Sequence, residues 1–271
     1  MPTGYPTDLT DDQWALVEPF LPPSIPAGAR RTADFRSVVN SLLSLVKAGC
    51  QWRMLPRDLG TPWPTVYGYF AAWQRDGTWG RMHRALARRV RAALPARDPT
   101  PSAGCIDGQT AKGTDHTESR GYDGGKRLKG RRRHILTDTL GLVLVVVVTP
   151  ANVDDGAAAS AGLGRLDPAA YPRFETVFAD QKYHNHGFND WLAEHRPGWR
   201  IEIQSKAPGE KGFRPLKERW VVERTFAWMQ KSRRLSKDYE RTTGSSEGMT
   251  WVSHLHLLLR RLGSGPMPTA A

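Results

Sequence analysis

Cysteine is scarce. The 271 residues include only Cys50 and Cys105, which excludes a disulfide-stapled scaffold and a cysteine-rich zinc module. A reducing cytoplasm is the expected compartment. Long apolar runs are missing as well. The longest, Leu142 to Val148, falls far short of the roughly 20 residues that cross a bilayer. The residues after Met1 lack the basic-then-apolar order of a secretory leader. Acidic residues are in deficit, with 27 Asp and Glu against 39 Lys and Arg and a formal charge of +12. That excess points to a polyanion, nucleic acid before an anionic membrane.

What is present begins as helical grammar. Thr10-Asp-Asp-Gln13 fits a capping box, with Trp14, Val17 and Leu21 inward and Pro22-Pro23 as the stop. A second helix is predicted from about Ala33 to Ala48, ended by Gly49. Trp52 to Trp63 reads as a structured loop. A third helix starts near Pro64-Thr65 and carries Val66, Tyr69, Phe70 and Trp73. After Gly77 a fourth places Trp79, Met82, Leu86 and Val90 inward, with Arg81, Arg84, Arg88 and Arg91 along another face. These helices suit a helix-turn-helix-like bundle in which the stretch from Thr65 through Tyr67 to Trp73 enters a DNA groove. A bundle that serves packing or dimerisation is the alternative.

Pro95 to Pro101 reads as a linker, and beyond it strands replace the helices. Gly104-Cys-Ile-Asp107 is a short strand ending in an acid. Lys112–Gly130 reads as a polar, glycine-rich loop. Lys126-Arg127-Leu-Lys129-Gly-Arg131-Arg132-Arg133, a run dense in cations, overlaps its end. His134–Asp138 and Leu142–Thr149 form a hairpin. A helix at about 154–166, a strand Phe174–Asp180 again ending in an acid, a helix 188–195 and a strand 200–204 follow. After a glycine-rich loop at 208–212 comes the helix Trp220–Leu235, with Val222, Phe226 and Met229 as its apolar stripe. Glu223, Gln230 and Lys231 share another face, with Arg233 and Arg234 beyond. A last amphipathic helix carries Met249, Val252, Leu255, Leu259 and Leu262.

Two neighbouring strands can set Asp107 and Asp180 side by side, and the helix bearing Glu223 can lean across that edge. Three convergent carboxylates repel one another unless divalent cations neutralise them. Oxygen donors of this kind suit Mg²⁺, with Mn²⁺ able to substitute, and two ions per site suit in-line displacement at phosphorus. Cations beside the acids would then grip a phosphate backbone. His184 and His186 lack the partners or spacing of a zinc site. Asp138 belongs to a turn, and Trp63, Trp73 and Trp79 read as core residues.

Asp107-Gly-Gln109, Arg120-Gly-Tyr-Asp-Gly-Gly-Lys126, Lys129-Gly-Arg-Arg-Arg-His134, Thr137-Asp-Thr-Leu-Gly-Leu142, Ala179-Asp180 and Arg219-Trp-Val-Val-Glu-Arg-Thr-Phe-Ala-Trp228 stand in this order. In that order they resemble bacterial insertion-sequence transposases of the DDE type. Arg233 to Arg241 continues the likeness, and Leu9 to Trp14 with Leu21-Pro-Pro23 resembles the opening of the same family. The resemblance implies an α/β, ribonuclease-H-like core preceded by an all-α module. In it Asp107, Asp180 and Glu223 hold two Mg²⁺ ions, while Arg219, Arg224 and Lys231 serve DNA contact along the helix. It also implies binding of terminal inverted repeats, hydrolytic nicking and transfer of the 3′-hydroxyl to target DNA, with a homodimer on double-stranded DNA as the working form. Phosphate contacts are expected from Lys126, Arg127, Lys129, Arg131, Arg132, Arg133, His134, Lys182, Arg233 and Arg234, and further DNA contacts from Thr65, Tyr67, Arg81, Arg84 and Arg88.

Two positions depart from the family pattern. Gln181-Lys182-Tyr183-His184-Asn185 replaces the usual Gly-Gly-Tyr-x-Gly, so a long cation stands beside Asp180. Leu216 lies near the place of the helix signature's tyrosine. A nuclease that cuts without joining, or a DNA-binding protein derived from a transposase, would share most of these features. The expected division is a DNA-binding or dimerisation unit at 1–94, a linker at 95–103, a catalytic unit at 104–263 and a flexible tail at 264–271.

Overall fold

The computed structural model describes residues 4–22, 33–184, 186–204 and 219–263. Asn185, Leu216, the loop at 208–212 and the tail at 264–271 lie outside them. α1 (Asp11–Val17) starts on the capping box: the Thr10 hydroxyl accepts from the Gln13 N–H, and the Gln13 side chain accepts from the Thr10 N–H. α2 (Phe35–Ala48) is capped by Asp34 and stops at Gly49, whose φ of 74° favours glycine. α3 (Trp63–Arg75) holds Pro64 in its first turn, and α4 (Thr78–Ala92) follows. The residues that helical periodicity turns inward, among them Val38, Leu42, Val66, Phe70, Met82 and Leu86, are buried. Trp73 meets Phe35 and Trp79 edge to face, with centroids 5.3 and 5.4 Å apart. Both tryptophans are core residues.

These four helices do not close a core by themselves. α8 (Thr243–Gly263), the last element, packs against all of them and most extensively against α4. Met249, Val252, Leu255, Leu258 and Leu259 of α8 are buried. The same apolar cluster continues through Cys105, Ile135, Leu142 and Val146 of the sheet region and through Val222, Phe226 and Met229 of α7 (Trp220–Gln230). At 95–103 the secondary structure changes, but the core is continuous across the division expected there.

The sheet comprises β1 (Ala103–Lys112), β2 (Gly121–Asp123), β3 (Leu128–Asp138), β4 (Val143–Pro150), β5 (Thr176–Ala179) and β6 (Arg200–Ile203). β3 runs antiparallel to β1 on one side and to β2 and β4, end to end, on the other. β5 is parallel to β1, and β6 is parallel to β5. Over one face α5 (Asp155–Gly164) and α6 (His186–His195) bury Leu136, Val145, Val147, Leu163, Val177 and Phe188. α7 packs against β1 and β3, and α8 against β4. This mixed, helix-covered sheet behind an all-α opening is the α/β class that the resemblance implies.

The stretch 112–130 corrects the loop expectation at both ends. β1 reaches Lys112 and β3 begins at Leu128, with Lys112 set opposite Gly130. A Cβ on Gly130 would lie 2.0 Å from the Ala111 carbonyl oxygen, so glycine lets the two strands close. Charge hides this strand from a hydropathy reading, because β3 is buried from Gly130 to Asp138 although it carries three arginines.

Candidate active site and nucleic-acid surface

Asp107 stands within β1, not at its end. β5 pairs only with Ala103–Cys105, so β1 outruns its parallel neighbour and the ladder opens before Asp107. Asp180 directly follows β5, and the register that sets Cys105 against Phe178 carries it alongside Asp107. Asp180 also caps a short 3₁₀ turn, its Oδ1 accepting from the Lys182 N–H at 2.9 Å. Glu223 comes from the first turn of α7, with its side chain half exposed. Arg219 joins the two: its Nη2 lies 3.9 Å from Asp180 Oδ2 and 3.6 Å from Glu223 Oε1. All three acids therefore reach one corner of the sheet.

Burial pushes the Asp107 carboxyl up, and Asp180 adds to that rise. The Gly108 N–H, donating at 2.7 Å, and the charges of Arg219 and Arg132 oppose it. A desolvated carboxylate with a second beside it calls for a cation, and Arg219 supplies one here. The donor set is oxygen only, which fits a hard divalent ion. Among the described residues, however, no three acids, histidines or cysteines are close enough to share a metal ion. The corner is suited to metal by donor type but is closed around a guanidinium.

Sequence reasoning missed two residues next to this corner. Asp155, in the first turn of α5, takes Arg132 Nε at 2.6 Å and lies 3.6 Å from His134 Nδ1. Burial raises its carboxyl, Arg132 and Lys182 pull it back, and Asp180 raises it further. Gly108 makes room for the group, since a Cβ there would meet Arg132 Nε at 2.5 Å. Tyr183 is fully buried, and its hydroxyl has no hydrogen-bond partner among the described residues. Burial, then Asp107 and Asp155, hold its pKa well above the usual phenol range. The available signals were Asp154 as an N-cap after an apolar strand and a tyrosine three residues past a strand-end acid.

The cations divide sharply. Lys126, Arg127 and Lys129 are exposed around the β2–β3 turn, as are Lys182, Lys231 and Arg233 elsewhere. Burial and Arg132 lower the Lys126 ammonium, while Asp123 and Asp107 raise it, which places this lysine near the acid corner. Arg131, Arg132, Arg133, His134 and Arg234 are buried instead, which corrects their expected phosphate contacts. Arg131 donates to the carbonyls of Glu118, Glu240, Arg241 and Thr242. Arg133 donates to those of Leu235 and Lys237. Arg132 pairs with Asp155 and Asp123, and His134 meets the Thr149 hydroxyl at 3.0 Å. Arg234 pairs with Glu240 at 2.8 Å and donates to the Cys50 carbonyl.

Arg224 lies over the rings of Trp220 and Trp228, at 4.4 and 4.6 Å, and donates to the Leu140 carbonyl, so it too is committed internally. Of the α4 arginines, Arg88 and Arg91 turn toward the rest of the protein, while Arg81 is exposed. Arg88 donates to the Ala170 carbonyl, Arg91 pairs with Asp138 at 2.6 Å, and Arg81 and Arg84 line a cleft of about 540 Å³ beside β4. None of Asp107, Asp180 and Glu223 lines that cleft. On α3, Tyr67 is exposed with its edge toward Trp52, and Thr65 is half-buried. Among the described residues no helix is long and apolar enough to cross a membrane.

Residues 9–83 match the family model described as "Putative transposase of IS4/5 family (DUF4096)", and residues 98–258 match "Transposase DDE domain". A Burkholderia cepacia protein, "Putative transposase for insertion sequence element IS402", is 31% identical over 172 residues, covering 60% of this chain and 77% of its own length. From the same organism, "Insertion element IS402 uncharacterized 16.2 kDa protein" is 33% identical over 90 residues, or 31% of this chain. The match spans 61% of that relative's length, less than two thirds. With the match at 98–258 covering more than half of its length, this chain belongs to the family of transposases with a DDE domain.

Proposed function

We propose that the chain is a DNA transposase that binds the terminal inverted repeats of an insertion sequence, nicks phosphodiester bonds and transfers the freed 3′-hydroxyl to target DNA. The observation that supports this reading is Arg219 lying between Asp180 and Glu223, with Asp107 near enough to feel the charges of both Asp180 and Arg219. These carboxylates would hold two Mg²⁺ ions, with Mn²⁺ able to substitute; bound there, the ions supply an activated oxygen nucleophile and stabilise the leaving oxygen. Arg219 balances the acids of this corner and is placed to hold a phosphate once they are neutralised otherwise. Lys126, Arg127, Lys129, Lys182, Lys231 and Arg233 would grip the backbone near the cut. Thr65 and Tyr67 on α3 would meet a groove. Joining two element ends suits a homodimer on double-stranded DNA.

Incubation with Mg²⁺, a labelled element end and a plasmid tests the reading. Joined products are expected. Cuts alone would indicate a nuclease, and a shifted band over intact DNA would indicate a binding protein. Asp107→Asn should abolish nicking and leave most DNA affinity, measured by gel shift. Equal loss of both would remove Asp107 from the catalytic role.

A further inference from the structure

Among the described residues Glu223 has a single ion pair, and it goes to Arg219 at the N-cap of its own helix. That pair cannot fix where α7 sits on the sheet. The two residues after Glu223 can. Arg224 lies over the rings of Trp220 and Trp228, one turn to either side, and its Nη2 donates to the Leu140 carbonyl at 3.3 Å. Thr225 is fully buried, and its Oγ1 donates to the Gly141 carbonyl at 3.1 Å. Gly141 has a φ of 80°, and a Cβ there would lie 2.6 Å from Thr225 Oγ1 and 3.0 Å from the Trp228 ring. Glycine therefore both makes this β3–β4 turn and lets α7 close on it.

The turn is itself held. Asp138, fully buried, accepts from the Leu140 N–H at 2.9 Å and the Leu142 N–H at 2.8 Å. Arg91 of α4 engages the same carboxylate at 2.6 Å, and the charge of Asp138 reaches Arg224 as well. Packing alone covers part of this arrangement, since Val222, Phe226 and Met229 hold α7 against the core. Apolar burial is non-directional, however. It covers a helix without fixing its rotation or its height, whereas hydrogen bonds to the carbonyls of a braced turn fix both. A carboxylate that must meet Asp107 and Asp180 from a separate element needs that second kind of restraint.

We propose that Arg224 and Thr225 are positioning residues: by clasping the Leu140–Gly141 turn they set the rotation and height of α7, and so bring Glu223 to the acid corner. The inference rests on the DNA-processing reading above. It gives the arginine after Glu223 a task inside the protein, in place of the DNA contact that the resemblance implies. Successive helix residues differ by ~100° in direction and ~1.5 Å in height, so a small slip of α7 re-aims the carboxylate. A misplacement of about 1 Å at a reacting centre costs roughly 100-fold in rate.

The test is single-turnover nicking of a labelled element end by the full chain with Mg²⁺, read beside a gel shift and urea unfolding. Arg224→Gln and Thr225→Val should each lower the rate at saturating protein by about 10–100-fold. The protein concentration that half-shifts the DNA should stay at the wild-type value. Rates are taken without denaturant on protein that unfolds cooperatively, so a role in stability alone would lower the urea midpoint and leave the rate. Thr225→Val keeps the buried volume and decides the matter if Arg224→Gln does not fold. Arg224→Lys, which retains a cation over the rings and a donor for the Leu140 carbonyl, should restore most of the rate. Wild-type rates in the folded variants would overturn the inference and leave the functional reading intact. So would a loss of DNA affinity large enough to account for the slower nicking, because it would make Arg224 a DNA contact. Failure of the wild-type chain to nick would overturn both, and the two failures are separable.

Discussion

Arg131 is fully buried, faces Asp238 at 3.5 Å and donates to four backbone carbonyls, three of them in the segment 240–242. Its work is to fasten the turn before α8 to β3. Truncation would leave buried Asp238 without its ion-pair partner, a loss of about 3–5 kcal/mol. Arg131→Ala should therefore lower the urea midpoint markedly without altering the salt slope of DNA binding. A normal midpoint with a flattened slope would return Arg131 to the DNA surface. Lys129→Ala, one pair removed from it on the sheet and exposed, should show the reverse: full stability and weaker binding. Asp180 and Glu223 stand where the sequence puts them, just past a strand and on a helix, whereas β1 runs on beyond Asp107. The burial of Arg131 and Arg133 was not legible, because most of their carbonyl partners lie about a hundred residues further on and composition reads every guanidinium as solvated.

At the scale of elements, the α4–α8 contact carries a pH dependence. His83 is fully buried, its Nδ1 meets the Trp79 carbonyl at 2.9 Å, and its ring lies 4.7 Å from Trp251 and 5.5 Å from His254. Burial lowers its pKa to about 4, and His254 is lowered well below the usual imidazole value, by burial first and then by His83. The folded state keeps these rings neutral where the unfolded chain takes up protons below about 6.5. The unfolded state then binds more protons, so stability falls as pH drops from about 6.5 toward 4, by up to ~1.4 kcal/mol per pH unit per ring. Thermal melts across that window should decline steadily in the wild type and less steeply in His83→Gln. Identical slopes would show that the ring titrates as freely in the fold as outside it. Helix limits were readable here because capping boxes and glycine stops are local. The extension of β1 and β3 was not, since the ladder that joins Lys112 to Gly130 runs through a stretch dense in charge and glycine that carries no strand-like hydropathy.

Over the whole molecule, the continuous core makes the first and last elements interdependent. Val38, Phe70, Met82 and Leu86 share one apolar cluster with Met249, Leu255 and Leu259. A fragment of residues 1–94 should lack a cooperative thermal transition, and adding a peptide of residues 243–263 should restore one. Cooperative melting by the short fragment alone would mean that the opening helices are self-sufficient. The all-α opening and the α/β remainder were legible from periodicity. Ownership of α8 was not, because an amphipathic stripe states that a helix is covered without stating by what.

The helix that completes the first bundle is also the last one described, and this has a consequence during synthesis. A nascent chain leaves the ribosome with its opening helices some 150 residues ahead of the piece that seals them, an interval of roughly 8–30 s at ~5–20 residues per second. Translation that stops before residue 243 therefore releases opening helices without the element that covers their apolar faces.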